Sequence, residues 1–163
     1  IGNKPVTVLK INKTNKKFHA RHNAKKRTYR YLIVNRQSPL VLQKNKAWHI
    51  RRKLNIKNMK KGAKFLLGTH NFSTFRAASC GAKSPIKTME KILIKKNKDK
   101  IVLQFTSRSF LQQQVRSMVG CLKYLGEGKW NLNDFKNSFK SVNRSKCAPP
   151  APACGLYFKN INY

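Results

Sequence analysis

Acidic residues are nearly missing from this chain: its 163 residues hold four Asp and Glu against 37 Lys and Arg, a formal charge of +33. A compact domain charged in this way repels itself, so the scarcity of acids calls for a polyanion as partner. Long apolar runs are missing too. No stretch approaches the ~20 residues that a bilayer span needs, and no secretory leader opens the chain, so neither a membrane span nor export is expected. Cys80, Cys121, Cys147 and Cys154 form no C-x-x-C pair, and His19, His22, His49 and His70 fall at no metal-ligand spacing. The sequence therefore indicates neither a zinc site nor a disulfide framework; free thiols in a reducing cytoplasm are the expectation. There is no Gly-rich phosphate loop, no Ser-His-Asp set, no pair of catalytic carboxylates, no internal repeat and no low-complexity linker.

What is present is a globular composition. Hydrophobic residues make up 40%, enough for a core. The positive charge is spread along the sequence and not gathered on one amphipathic helix, which favours nucleic acid over an anionic membrane surface. The first residue is Ile1 and not Met, so a natural start further upstream is expected.

Periodicity supplies the elements. Val6 to Ile11 fits a short strand. Arg27 to Val34 is rich in aromatic and β-branched residues and fits a longer one, with Tyr29, Tyr31 and Ile33 on one face and Arg30, Leu32 and Val34 on the other. Asn55 fits the cap of a helix carrying Met59, Ala63, Leu66 and Leu67, stopped by Gly68. Ile86–Lys95 and Lys100–Thr106 fit a hairpin about Asn97-Lys98-Asp99. A helix capped by Ser109 follows, with Leu111, Val115, Met118, Val119, Leu122 and Leu125 on one stripe. Leu132, Phe135 and Phe139 mark a short helix, and 155–163 a last strand. Without the short helix the order from Arg27 is β-α-β-β-α-β. This is an α+β fold of split βαβ (ferredoxin-like) type, an antiparallel sheet with helices on one face. The other face awaits a covering layer.

Two places draw attention by residue type. Tyr29, flanked by Lys25, Lys26, Arg27 and Arg30, suits an unstacked base held between a ring and guanidinium groups; an ordinary cross-strand aromatic pair is the plainer reading. Arg116 borders the apolar stripe of the long helix, where a guanidinium is costly unless it meets an anion. It either reaches out to solvent or awaits an acid from elsewhere. His19 and His70 fit hydrogen-bonding or RNA-facing roles.

Five segments then resemble one family in order and spacing: Phe18-His19-Ala20-Arg21, Arg27-Thr28-Tyr29-Arg30-Tyr31, His70-Asn71-Phe72-Ser73-Thr74-Phe75-Arg76-Ala77, Phe110-Leu111 through Gln114-Val115-Arg116-Ser117-Met118-Val119-Gly120, and Ala151-Pro152-Ala153-Cys154-Gly155-Leu156-Tyr157-Phe158. Together they resemble the tRNA pseudouridine synthases that modify the anticodon stem–loop, and the likeness runs from Phe18 to Tyr163. It implies isomerisation of uridine to pseudouridine, at positions 38, 39 and 40 of the tRNA, with no cofactor and no metal. It also implies a homodimer and a catalytic aspartate that attacks the uracil or its ribose. Residue by residue, Tyr29 matches the tyrosine that packs on the flipped base. Arg116 matches the arginine paired with the catalytic aspartate, Leu156 an apolar residue bordering the uracil, and Arg21 and His19 the basic rim where RNA enters.

The departures bear on activity. The family's Gly-Arg-Thr-Asp-type nucleophile motif lies upstream of Phe18 and does not occur in this sequence. The expectation is a chain that begins after the nucleophile: residues 1–26 connecting from a missing N-terminal half-domain, and 27–163 forming the C-terminal RNA-binding and active-site-wall domain. Such a chain binds tRNA weakly and turns over nothing by itself. Asn71 stands where the family often has Asp, and Gln112-Gln113-Gln114 where it often has His. The alternative is a non-catalytic basic RNA-binding module, ribosome-associated or the product of a degenerate gene.

Overall fold

The computed structural model describes residues 6–163. Its centre is β1 (Lys26–Asn35), whose alternation buries Tyr31 and Ile33 completely. One edge of β1 pairs antiparallel with β5 (Lys100–Ser107), which pairs with β4 (Ile86–Asn97), which pairs with the short β3 (Gly68–Asn71). The other edge is shared. Its first half pairs antiparallel with β6 (Leu156–Asn162), and its second half pairs parallel with β2 (Trp48–Ile50). The strand order β6-β1-β5-β4 is the split βαβ arrangement expected from the sequence. Two short strands add to it: β3 extends the sheet antiparallel, and the parallel β2 makes it mixed.

Three helices cover one face. α1 (Ile56–Lys64) is capped by Asn55, whose side chain accepts from the Asn58 amide at 3.0 Å. It buries Met59 and Ala63, while Leu67, placed on that stripe by periodicity, is exposed. α2 (Gln114–Glu127) buries Val115, Met118, Val119, Leu122 and Leu125. α3 (Leu132–Lys140) opens with a capping box between Asn131 and Asp134 and buries Phe135 and Phe139. These residues join Ile101, Leu103, Phe105 and Met89 of the sheet in one core. On the opposite face lie Leu32, Leu93, Val102 and Gln104, only part-covered, and the exposed Arg30. There the Arg30 guanidinium lies 5.1 Å from the centre of the Tyr157 ring, and Lys159 Nζ donates to Gln104 Oε1 at 2.9 Å.

Three expectations are corrected. Val6 to Ile11 forms no strand; these side chains have no sheet edge to join and stand exposed. Ser109 does not cap α2. The helix begins five residues later, after Gln113 takes a left-handed backbone (φ 62°), and the Gln114 side chain turns back to accept the Leu111 amide at 2.8 Å. Gly68 does not end α1, which closes at Phe65; it starts β3 at φ 95°. The connector proposed for residues 1–26 includes 1–5, which lie outside the described residues.

The segment from Cys147 to Ala151 lies directly on α2. A Cβ at Gly120 would sit 2.1 Å from the Pro149 carbonyl oxygen. In an open helix, Gly→Ala gains about 1 kcal/mol. Against a backbone oxygen at this distance, overpacking of about 3 kcal/mol outweighs that gain. Gly120→Ala is therefore expected to lower stability by about 2 kcal/mol in urea unfolding; a stabilised variant would mean that this segment does not rest on the helix.

Candidate active site

A cleft of about 630 Å³ opens where β1, the start of β6 and the N-terminus of α2 meet. Arg21, Tyr29, Arg116 and Leu156 all line it. Tyr29 is half-buried on β1, and its ring is braced edge-on by Phe110 (centroids 5.1 Å apart) and Phe158 (5.2 Å). The plainer reading of Tyr29 as a cross-strand pair is thus satisfied by Phe158, and the ring borders the cleft as well.

Arg116 is half-buried in the first turn of α2. Its Nε donates to the Ala151 carbonyl at 2.6 Å, and its own carbonyl accepts the Ala151 amide at 3.0 Å. The next residue is fixed in turn, because the Tyr31 hydroxyl donates to the Pro152 carbonyl at 2.6 Å. Burial is the main cause that pushes the Tyr31 phenol well above its ordinary pKa, so it remains a donor. Gly155 completes the fit: a Cβ there would come within 2.8 Å of the Tyr31 ring. One short segment, 151–156, therefore anchors Arg116 at one end and delivers Leu156 to the cleft at the other.

With Nε committed, the terminal nitrogens of Arg116 have no acceptor among the described residues. The four carboxylates are engaged elsewhere. Glu90 meets Lys26 at 2.7 Å, Asp99 meets Arg36 at 3.1 Å, Glu127 meets Lys123 at 2.7 Å, and Asp134 accepts the Asn131 amide at 2.9 Å. None of them lines the cleft. Arg116 thus neither reaches freely into solvent nor pairs with an acid of this chain.

His19 is not brought into the cleft. It is exposed, and its Nδ1 accepts the Arg21 amide at 3.2 Å, so it shapes the turn that presents Arg21. His70 is a structural hydrogen-bonding residue, its Nε2 2.7 Å from the Leu67 carbonyl and its ring packed near Phe139. Asn71 Oδ1 accepts from the Ser73 amide and hydroxyl, a task for which the charge of an Asp is not required.

Several cleft residues carry no local sequence signal. Arg76 donates to the carbonyls of Cys80 (2.5 Å) and Ala82 (2.9 Å), and this shapes one cleft wall. The Cys80 thiol sits below its ordinary pKa, chiefly through the backbone amide of Gln112, whose nitrogen is 3.4 Å from the sulfur. An adjoining groove of about 660 Å³ shares Arg21 and Tyr29 and adds Arg27, Lys83, Lys87 and Arg108. Arg27 donates to the carbonyls of Arg21 and Arg108, tying the rim together. The N-terminus of α2 adds its own positive end to this field.

Fold and cleft define a class: a basic α+β domain of split βαβ topology, with an aromatic ring and a guanidinium in a cleft that adjoins a cation-lined groove. Comparison with known proteins narrows it. The chain belongs to the tRNA pseudouridine synthase family, whose model matches residues 63–163. It is 58% identical, over its whole length, to the tRNA pseudouridine synthase A of Pelagibacter ubique, of which it covers 66%. It is 44% identical to the protein of that name from Xanthobacter autotrophicus, with 98% of the chain and 65% of the relative aligned. For that of Ehrlichia chaffeensis the values are 43%, 97% and 64%. The chain thus spans slightly less than two thirds of the length of these curated relatives. Among the described residues, no helix is long and apolar enough to cross a membrane.

Proposed function

We propose that this chain builds the uridine-facing wall of a tRNA pseudouridine synthase that acts on the anticodon stem–loop. The flipped uracil packs on the Tyr29 ring with Leu156 at its edge. Arg116 pairs with a nucleophilic aspartate supplied by an upstream Gly-Arg-Thr-Asp-type segment. Arg21, presented by the His19 turn, and the Arg27, Lys83, Lys87 and Arg108 groove hold the flanking phosphates. In this reading residues 27–163 are the active-site-wall domain, residues 1–26 connect it to the aspartate-bearing part, and the protein works as a cytoplasmic homodimer without metal or cofactor.

The observation that carries the reading is Arg116. Its guanidinium is held by Ala151 through Nε, its terminal nitrogens have no acceptor among the described residues, and the residue lines a cleft with no carboxylate of its own. A planar guanidinium fixed through Nε presents its terminal nitrogens to a carboxylate with the geometry ion pairs favour. Isomerisation breaks the bond from the ribose to nitrogen, turns the base, and joins the ribose to C5, whose proton is released. Tritium release from C5-labelled tRNA therefore tests it. The protein at its relatives' length is expected to release tritium, and residues 1–163 alone, or an Asp→Ala change in the upstream segment, are expected to release none. No release at the greater length would leave a basic RNA-binding module.

A further inference from the structure

Cys121 and Cys147 stand outside the cleft and take no part in the proposed reaction. Cys121 sits in the middle of α2 and is 1% exposed; Cys147, half-exposed, begins the segment that packs across that helix. Their sulfurs are 3.5 Å apart, in contact, although 26 residues separate them in sequence. Among the described residues no other pair of cysteines approaches in this way. Cys80 Sγ faces the Gln112 amide, and Cys154 Sγ donates to the Ala47 carbonyl at 3.5 Å.

The two thiols are unequal. The hydrogen bond from Cys121 is the main cause that holds the Cys147 thiol below its ordinary pKa, and Arg144 and the Ser117 hydroxyl add to it. The same bond, together with burial, pushes Cys121 up. Cys147 is also the more exposed sulfur, so it is placed to attack and the buried Cys121 to resolve. Ser117 Oγ, buried and without a full hydrogen bond, lies beside this pair.

We propose that Cys121 and Cys147 form a covalent modification site, a reversible intrachain disulfide made by hydrogen peroxide. The Cys147 thiolate attacks one peroxide oxygen; the O–O bond breaks and hydroxide leaves, taking up a proton as water. Cys121 sulfur then attacks the resulting sulfenic acid. The S–S bond forms, the S–O bond breaks, and a second water carries off the Cys121 proton. Two thiols lose two electrons in all, and one peroxide becomes two waters. A low-molecular-weight thiol reverses the step by exchange.

The geometry permits the closure. A disulfide needs about 2.05 Å between sulfurs, so the pair must approach by about 1.5 Å. Cys147 has an extended backbone (φ −79°, ψ 140°) just past a short helical turn, so it can move without unwinding α2. The bond would staple to α2 the same segment that holds Arg116 through Ala151.

The test is thiol mapping on the reduced protein. It is treated with one equivalent of hydrogen peroxide, alkylated with N-ethylmaleimide, digested and weighed. A Cys121–Cys147 cross-linked peptide, two hydrogens lighter than its parts and lost on adding dithiothreitol, is expected, with Cys80 and Cys154 alkylated. The oxidised protein should melt about 5–10 °C higher than the reduced one. Cys147→Ser should abolish the cross-link and slow peroxide consumption about tenfold; Cys121→Ala, given excess peroxide, should leave Cys147 to proceed to sulfinic acid. Oxidation of Cys80 or Cys154 ahead of this pair, or sulfinic acid at Cys147 with Cys121 still free in the unchanged protein, would overturn the proposal. None of these readouts depends on isomerase activity.

Discussion

Arg116→Lys, made in the protein at its relatives' length, is expected to lower kcat about a thousandfold while leaving the KM for tRNA within about threefold. The guanidinium has two tasks in this reading: Nε donates to the Ala151 carbonyl, and the terminal nitrogens, which have no acceptor among the described residues, are left for the nucleophile. A lysine ammonium can reach one of these partners but cannot serve both in one plane. Breaking a desolvated charge pair from one side costs about 3–5 kcal/mol, and about 4 kcal/mol is a thousandfold in rate. Binding should be spared, because the cations proposed to meet the RNA backbone lie in the neighbouring groove. Single-turnover tritium release measures the first effect, and its dependence on tRNA concentration the second. A lysine variant within tenfold of the unchanged protein would show that Arg116 meets no nucleophile. Equal losses in rate and melting temperature would show that it serves only to hold segment 151–156.

How far the sequence alone reaches can be judged from the same residues. The strand around Tyr31 and the stripe of α2 follow from local periodicity, because burial on one face dictates every second or every third-to-fourth residue. Those two elements, with the helix capped by Asn55, the hairpin 86–107 and the last strand, carry the order β-α-β-β-α-β. β2 and β3, three and four residues long, leave no such trace, since a short edge strand is defined by the neighbour it pairs with and not by its own pattern. The start of α2 escapes residue type for a related reason: Ser109 is a good cap by type, but the turn at Gln113 is set by contacts with the segment near Ala77 and Cys80. In the cleft, Arg116 is conspicuous as a cation beside an apolar stripe in a chain nearly without acids. Its anchor at Ala151 lies 35 residues on, and the cations Lys83, Lys87 and Arg108 are ordinary surface residues until the fold gathers them.

Tyr29→Ala is expected to lower kcat about a hundredfold, the rate equivalent of about 3 kcal/mol, the upper end of what one base–aromatic stack contributes. The ring is already oriented before any base arrives, braced by Phe110 and Phe158 at about right angles and at 62° respectively, so little ordering is left to be done on binding. Removing the ring also unbraces its two neighbours, and the melting temperature must be read beside the rate. Tyr29→Phe keeps the platform and both edge contacts and should bind tRNA as the unchanged protein does. The rim variants supply the contrast. Lys83→Ala, Lys87→Ala and Arg108→Ala should each raise KM with little change in kcat, and each should make the logarithm of tRNA affinity fall less steeply with the logarithm of salt, by about one unit or less for every phosphate that goes without its cation. The proposed roles, a ring acting on the reacting base and cations acting on the backbone, thus predict losses along two separate measured axes. If Tyr29→Ala raised KM and flattened the salt response as the rim variants do, its ring would be one more piece of the binding surface and the cleft would not be where the base is turned.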